Sequence, residues 1–104
     1  MTFEEARQAA LSLPETTEAP HFEKTSFRVR GKIFATAPPD GEHLHIFIDE
    51  HAINAVVASH QACEPLWWGK RVVGVRVKLS EADKDLVADL LADAWRTKTP
   101  KGTR

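Results

Sequence analysis

The residues best equipped for chemistry lie between Leu66 and Leu79, read as Leu-Trp-Trp-Gly-Lys-Arg-Val-Val-Gly-Val-Arg-Val-Lys-Leu. Lys70, Arg71, Arg76 and Lys78 crowd this stretch, and no acid stands between Pro65 and Ser80. Cations at this density beside flat indole rings suit an anionic partner, because ammonium and guanidinium groups neutralise phosphates while bases stack on aromatic faces. A second basic stretch holds Arg28, Arg30 and Lys32. The candidate nucleic-acid contacts are therefore Arg28, Arg30, Lys32, Lys70, Arg71, Arg76 and Lys78, with Phe47 or Trp67 as an aromatic surface. The competing reading is a solvated sheet face whose long charged side chains only keep the sheet soluble.

Other chemistries find less support. His43 and His45 would project from one strand face two residues apart, a geometry that can chelate, and Glu23, Asp49 and His51 are further oxygen or nitrogen donors. No second ligand pair has recognisable spacing and no His-Glu-x-x-His helix exists, so no metal is expected. No glycine-rich phosphate loop or nucleophile elbow occurs, and Cys63, the single cysteine, precedes Glu64-Pro65 without a nearby base. Glu15, Glu18 and Glu23 flank a loop in which spacing cannot demonstrate an acid–base pair. No catalytic residue and no cofactor are assigned.

These residues need elements to hold them. Thr2 with Glu5 makes a capping box, and Phe3, Ala6, Ala10 and Leu13 recur at helical spacing until Pro14. Residues 14–24 show neither periodicity and read as a loop. Phe27 and Val29 alternate with Arg28 and Arg30, Gly31 gives a turn, and Ile33 to Thr36 continues as a second strand. After Pro38-Pro39-Asp40-Gly41, Leu44, Ile46 and Ile48 alternate with His45 and Phe47 as a third. Asp49 can cap a second helix with Ile53, Val56, Val57 and His60 on one side.

Pro65 ends the link to the Trp hairpin, whose second strand alternates Val75, Val77 and Leu79 with Arg76 and Lys78. Ser80 with Asp83 opens a third helix with Leu86, Val87, Leu90, Leu91, Ala94 and Trp95 as its apolar stripe. Trp68 and Trp95 are expected in the core. Lys98 to Arg104 reads as a flexible polar tail.

The fold class is thus α+β: one antiparallel sheet of about five strands with helices packed on one face, in the order α-β-β-β-α-β-β-α. Helices one and three should cover the Val, Leu and Ile face, leaving Arg28, Arg30, His45, Phe47, Arg76 and Lys78 on the other. The 104 residues suit one domain, residues 1–104. The net charge of −1 excludes a globally basic protein but hides segregation. Twelve of fourteen cations fall within residues 24–32, 70–78 and 96–104, where no acid occurs. A bipolar molecule follows, basic on its hairpins and tail and acidic elsewhere. A lone cysteine, the lack of a signal-like start and the lack of a long apolar run predict a cytoplasmic protein with no membrane partner.

The chain resembles the YjbR/MmcQ-like family of small bacterial proteins. The resemblance spans most of the length and rests on motifs in shared order. These are Ala10-Leu11-Ser12-Leu13-Pro14-Glu15, Phe27-Arg28-Val29-Arg30-Gly31-Lys32-Ile33-Phe34-Ala35, Trp67-Trp68-Gly69-Lys70-Arg71 with Gly74-Val75-Arg76-Val77, and Ala94-Trp95-Arg96 with Pro100-Lys101. It implies helices on an antiparallel sheet whose hairpins act as a double wing on DNA. It implies no catalytic residues. The expected function is a non-enzymatic binding module, with DNA or another nucleic acid as partner. The alternative is a protein-interaction adaptor using the Trp67 region or the acidic third helix.

Overall fold

The computed structural model describes residues 1–99. In chain order it contains α1 (Phe3–Leu11), β1 (Thr16–His21), β2 (Lys24–Val29), β3 (Lys32–Ala37), β4 (His43–Ile46), α2 (Glu50–Ser59), β5 (Cys63–Trp68), β6 (Arg71–Lys78) and α3 (Lys84–Lys98), with a 3-10 turn at Leu79–Glu81. The strands form a single antiparallel sheet in the order β1-β2-β3-β4-β6-β5. The α+β class is therefore as the alternation predicts.

The strand count is six, because the segment expected as a loop forms β1. Thr16 to His21 pairs residue for residue with Val29 to Lys24. Its own sequence shows no alternation because it is an edge strand with mixed exposure along its length. Pairing with β2 makes it a strand. Three other boundaries shift: Pro65 lies inside β5, α3 begins at Lys84 after the 3-10 turn, and α3 runs on through Lys98. The rest of the expected tail, residues 100–104, lies outside the described residues. Both edge strands contain a proline, Pro20 in β1 and Pro65 in β5, which is where a residue without a backbone N–H is tolerated.

Local chemistry starts and stops the helices. The Thr2 hydroxyl accepts the Glu5 N–H at 3.1 Å, and the Glu5 carboxylate accepts the Thr2 N–H at 2.9 Å, so two orphan donors of α1 are satisfied. The Lys84 ammonium, 2.7 Å from Glu5, ties the start of α3 to the start of α1. Together with the Thr2 N–H it holds the Glu5 carboxyl down to about 2. Near the far end of α3, the Trp95 indole N–H donates to the Pro14 carbonyl at 2.9 Å.

The core lies between one sheet face and the helices. Phe27, Val29, Leu44, Ile46, Val75 and Val77 from the strands meet Ala6 and Ala10 of α1 and Val87, Leu90, Leu91 and Ala94 of α3. Ile53 of α2 and Cys63 of β5 join the same cluster. Burial of such side chains contributes about 1.5–3 kcal/mol each for the larger ones. Among the described residues no helix is long and apolar enough to cross a membrane.

Candidate functional site

Cross-strand pairing decides what the other face presents. Ala19, Ser26, Thr36, His45, Arg76 and Glu64 are successive partners across all six strands. Directly opposed residues share a face, so the five polar ones form one row. The next row, Glu18, Phe27, Ala35, Ile46, Val75 and Pro65, includes core residues and faces the other way. Arg28 belongs with the polar row, since its Nε–H donates to the Ser26 hydroxyl at 3.0 Å. The face assignment expected for Arg28, His45, Phe47 and Arg76 holds.

Two members of the row, Thr36 and His45, help to line a groove of about 590 Å³, together with His21 and Lys24 from the first hairpin and Phe47, Trp68 and Arg71. Ser26 and Thr36 of the row are buried. Among the described residues, the Nε2 of His45 and the Nε of Arg76 are buried without a hydrogen-bond partner. Burial, reinforced by the positive charges of Lys24 and Arg76, pushes His45 down to about 4, so the imidazole is neutral at pH 7. Phe47 and Trp68 stand against each other with ring centroids 5.5 Å apart.

The hairpin turns add a second feature. In β2–β3 the two-residue loop Arg30-Gly31 has positive φ at both positions, 52° and 80°, the requirement of a type I′ turn. In β5–β6 the loop is Gly69-Lys70, with Gly69 at φ 62°, which matches a type II′ turn that wants glycine first. β3 and β6 are each antiparallel to β4, hence parallel to each other, and each starts just after its turn. Both basic turns therefore lie at the same end of the sheet. Counting strands between them at ~4.8 Å each, the tips stand roughly 14 Å apart.

The seven expected cations divide accordingly. Lys32, Lys70 and Arg71 gather at this end and have no acidic partner among the described residues. Arg30 pairs with Glu15 at 3.2 Å, Arg76 lies 3.7 Å from Glu64, and Lys78 pairs with Glu81 at 3.2 Å. Lys78 also sits at the opposite end of its strand. Trp67 is 56% exposed, as the aromatic reading requires, whereas Trp68, expected in the core, is 65% exposed. Position beside the turn, where the sheet ends, leaves Trp68 mostly exposed with Phe47 against it. Trp95 packs against the core as expected. Lys24 and Thr36 enter the groove without having stood out in the sequence, because neither type is unusual at a strand end or interior.

Of the two histidines expected to be able to chelate, His43 is engaged by Asp40, while His45 lines the groove. Asp40, Glu42 and His43 bring donor atoms within 4.8 Å of one another. The Asp40 carboxylate, however, accepts the backbone N–H groups of Glu42 and His43 and lies 2.9 Å from His43 Nδ1. These bonds hold its carboxyl below the usual range and account for the cluster as a turn.

A family model described as YjbR matches residues 11–97, most of the described chain. The chain belongs to the YjbR family. Among solved structures, this YjbR domain is similar to the crystal structure of Deinococcus radiodurans protein DR2400, described as a DUF419 domain. The likeness has a TM-score of 0.79 and 23% identity, covering 97% of this chain and 80% of that one. At that identity it speaks for the fold. No curated protein matches the chain.

Proposed function

We propose that this YjbR domain is a nucleic-acid-binding module, and that its contact surface is the sheet end bearing both basic turns. The observation that supports this reading is the shared end itself: Lys32 on one tip and Lys70-Arg71 on the other, flanked by the exposed rings of Trp67 and Trp68. Cations reach phosphates while exposed indoles stack on unpaired bases. Aromatic exposure favours single strands over duplex, whose bases are already stacked. A cytoplasmic setting belongs to the same reading, supported by a lone, buried and unpaired Cys63.

The test is fluorescence anisotropy of a labelled mixed-sequence oligonucleotide, single- and double-stranded, across a salt series. With three cations engaged, the single-strand affinity should fall with a log–log slope of about −2. The variant Lys32→Glu/Lys70→Glu should lose binding. Absence of binding at the lowest salt removes the reading and leaves the alternative, a protein contact through Trp67, which salt would hardly alter.

A further inference from the structure

The groove behind the aromatic pair holds chemistry that the turn surface does not use. His45 and Arg76 are direct cross-strand partners, which places their Cβ atoms about 4.5–5.5 Å apart. Each has a buried ring or guanidinium nitrogen with no partner, His45 Nε2 and Arg76 Nε. Buried polar nitrogens are nearly always hydrogen-bonded, so two orphans side by side leave acceptor places for a water or a ligand atom. Lys24 approaches from β2 closely enough for its charge to act on His45, and the Thr36 hydroxyl lies next in the row. Every one of these groups can donate, and none is neutralised by a buried carboxylate. The one acid across the row, Glu64, is exposed and 3.7 Å from a different nitrogen of Arg76.

Charge also limits the length of the ligand. Asp49 and Glu50 line the groove where α2 begins, so a chain of phosphates running its length would meet like charge. A single anionic group at the Lys24–His45 end avoids them. Beside it, Trp68 is tilted 59° to Phe47 and mostly exposed, and this leaves an indole surface free to stack on a flat ring. The volume, about 590 Å³, is within the usual range for small-molecule sites.

We propose that this groove binds a mononucleotide-sized ligand, its phosphate held by Lys24 and His45 with the charge of Arg76 beside them, and its base stacked on Trp68. The site shares Trp68 and Arg71 with the turn surface, but its phosphate end does not depend on oligonucleotide binding at the turns. An anion beside His45 offsets the positive charges of Lys24 and Arg76. His43 on the same strand and Asp40 in the preceding loop are the other charged or titratable groups that act on the ring. Binding therefore favours the imidazolium, and by reciprocity a lower pH tightens the anion.

The experiment is an amide and imidazole NMR titration of the whole chain with adenosine monophosphate, with adenosine alone and inorganic sulfate alone as arms. Shifts are expected at Thr36, His45, Arg76 and the Trp68 indole, with adenosine and sulfate each weaker than the monophosphate. Sulfate keeps a constant charge between pH 7 and 5, and its affinity should rise about tenfold over that interval as His45 takes up a proton. Arg76→Gln and, as a second variant, His45→Gln should each weaken the monophosphate about tenfold while retaining a folded spectrum, and His45→Gln should abolish the pH effect. Lys32→Glu/Lys70→Glu should leave monophosphate affinity within about twofold although it removes oligonucleotide binding. Absence of shifts in the groove, or shifts confined to the turns and lost in Lys32→Glu/Lys70→Glu, would overturn the proposal. So would unchanged affinity in both folded groove variants.

Discussion

Gly74 of β6 lies so close to Ile46 of β4 that a Cβ built on it would overlap the Ile46 carbonyl oxygen and stand 2.9 Å from its carbon. The obstacle is backbone, which cannot swing aside as a side chain can. Gly74 sits next to a bulge, where β6 passes from Val72 opposite Trp67 to Gly74 opposite Leu66 and leaves Val73 unmatched. Glycine here is what allows β6 to press against β4 while bending towards the Trp turn. Gly74→Ala should destabilise the domain by about 2–3 kcal/mol. Urea unfolding checks this, and a change below roughly 0.5 kcal/mol would show that the ladder yields.

The neutral state of His45 makes stability depend on acid. Its folded value, about 4, lies below the ordinary 6.5, so the unfolded chain binds this proton more readily. The resulting stability is fully present above pH 6.5, declines as pH falls, and is gone below about 4. Compared with His45→Gln, the wild type should lose stability more steeply between pH 6.5 and 4 in urea titrations. Parallel curves would mean that the imidazole is better hydrated than its burial implies.

Arg30 occupies a positive-φ position at a turn tip, where asparagine is the preferred neighbour of the following glycine. Its ion pair with Glu15 is exposed on both sides, and such pairs contribute little. Arg30→Asn should be neutral or stabilise by up to about 0.5 kcal/mol, whereas Gly31→Ala at φ 80° should cost about 1 kcal/mol. Thermal melts of the two variants moving in the same direction would contradict the turn assignment.

Cys63 is 5% exposed and packs within the core. Burial pushes its thiol up, away from the reactive thiolate. A thiol reagent at pH 8 should label the native protein at the rate of unfolding and the urea-unfolded protein at once. Rapid native labelling would show that β5 opens locally.

Much of this arrangement is legible in the sequence, and the parts that are not have a common cause. The capping box of Thr2 and Glu5, the turn at Gly31 and the alternation around Leu44, Ile46, Val75 and Val77 are local signals read within a few residues. Thr16 to His21 has no such signal: an edge strand buries little, so its Thr, Glu and His obey no alternation and its partner defines it. Alternation also places Arg28, His45 and Arg76 on one face. It cannot tell that Glu15 meets Arg30 or that Glu64 meets Arg76, because those meetings depend on which strands become neighbours. Trp68 shows the opposite limit, since a large aromatic ring argues for the core until its place beside a turn is known.

The prolines at the two edges of the sheet have a consequence for behaviour at high concentration. A row of unpaired backbone groups along an outer strand is a template on which another chain can add, the first step of fibre growth and strand exchange. Pro20 interrupts that template on β1 and Pro65 on β5, so neither margin offers an incoming strand an unbroken set of donors. The sheet should resist growing sideways, and self-association, where it occurs, should proceed through side chains.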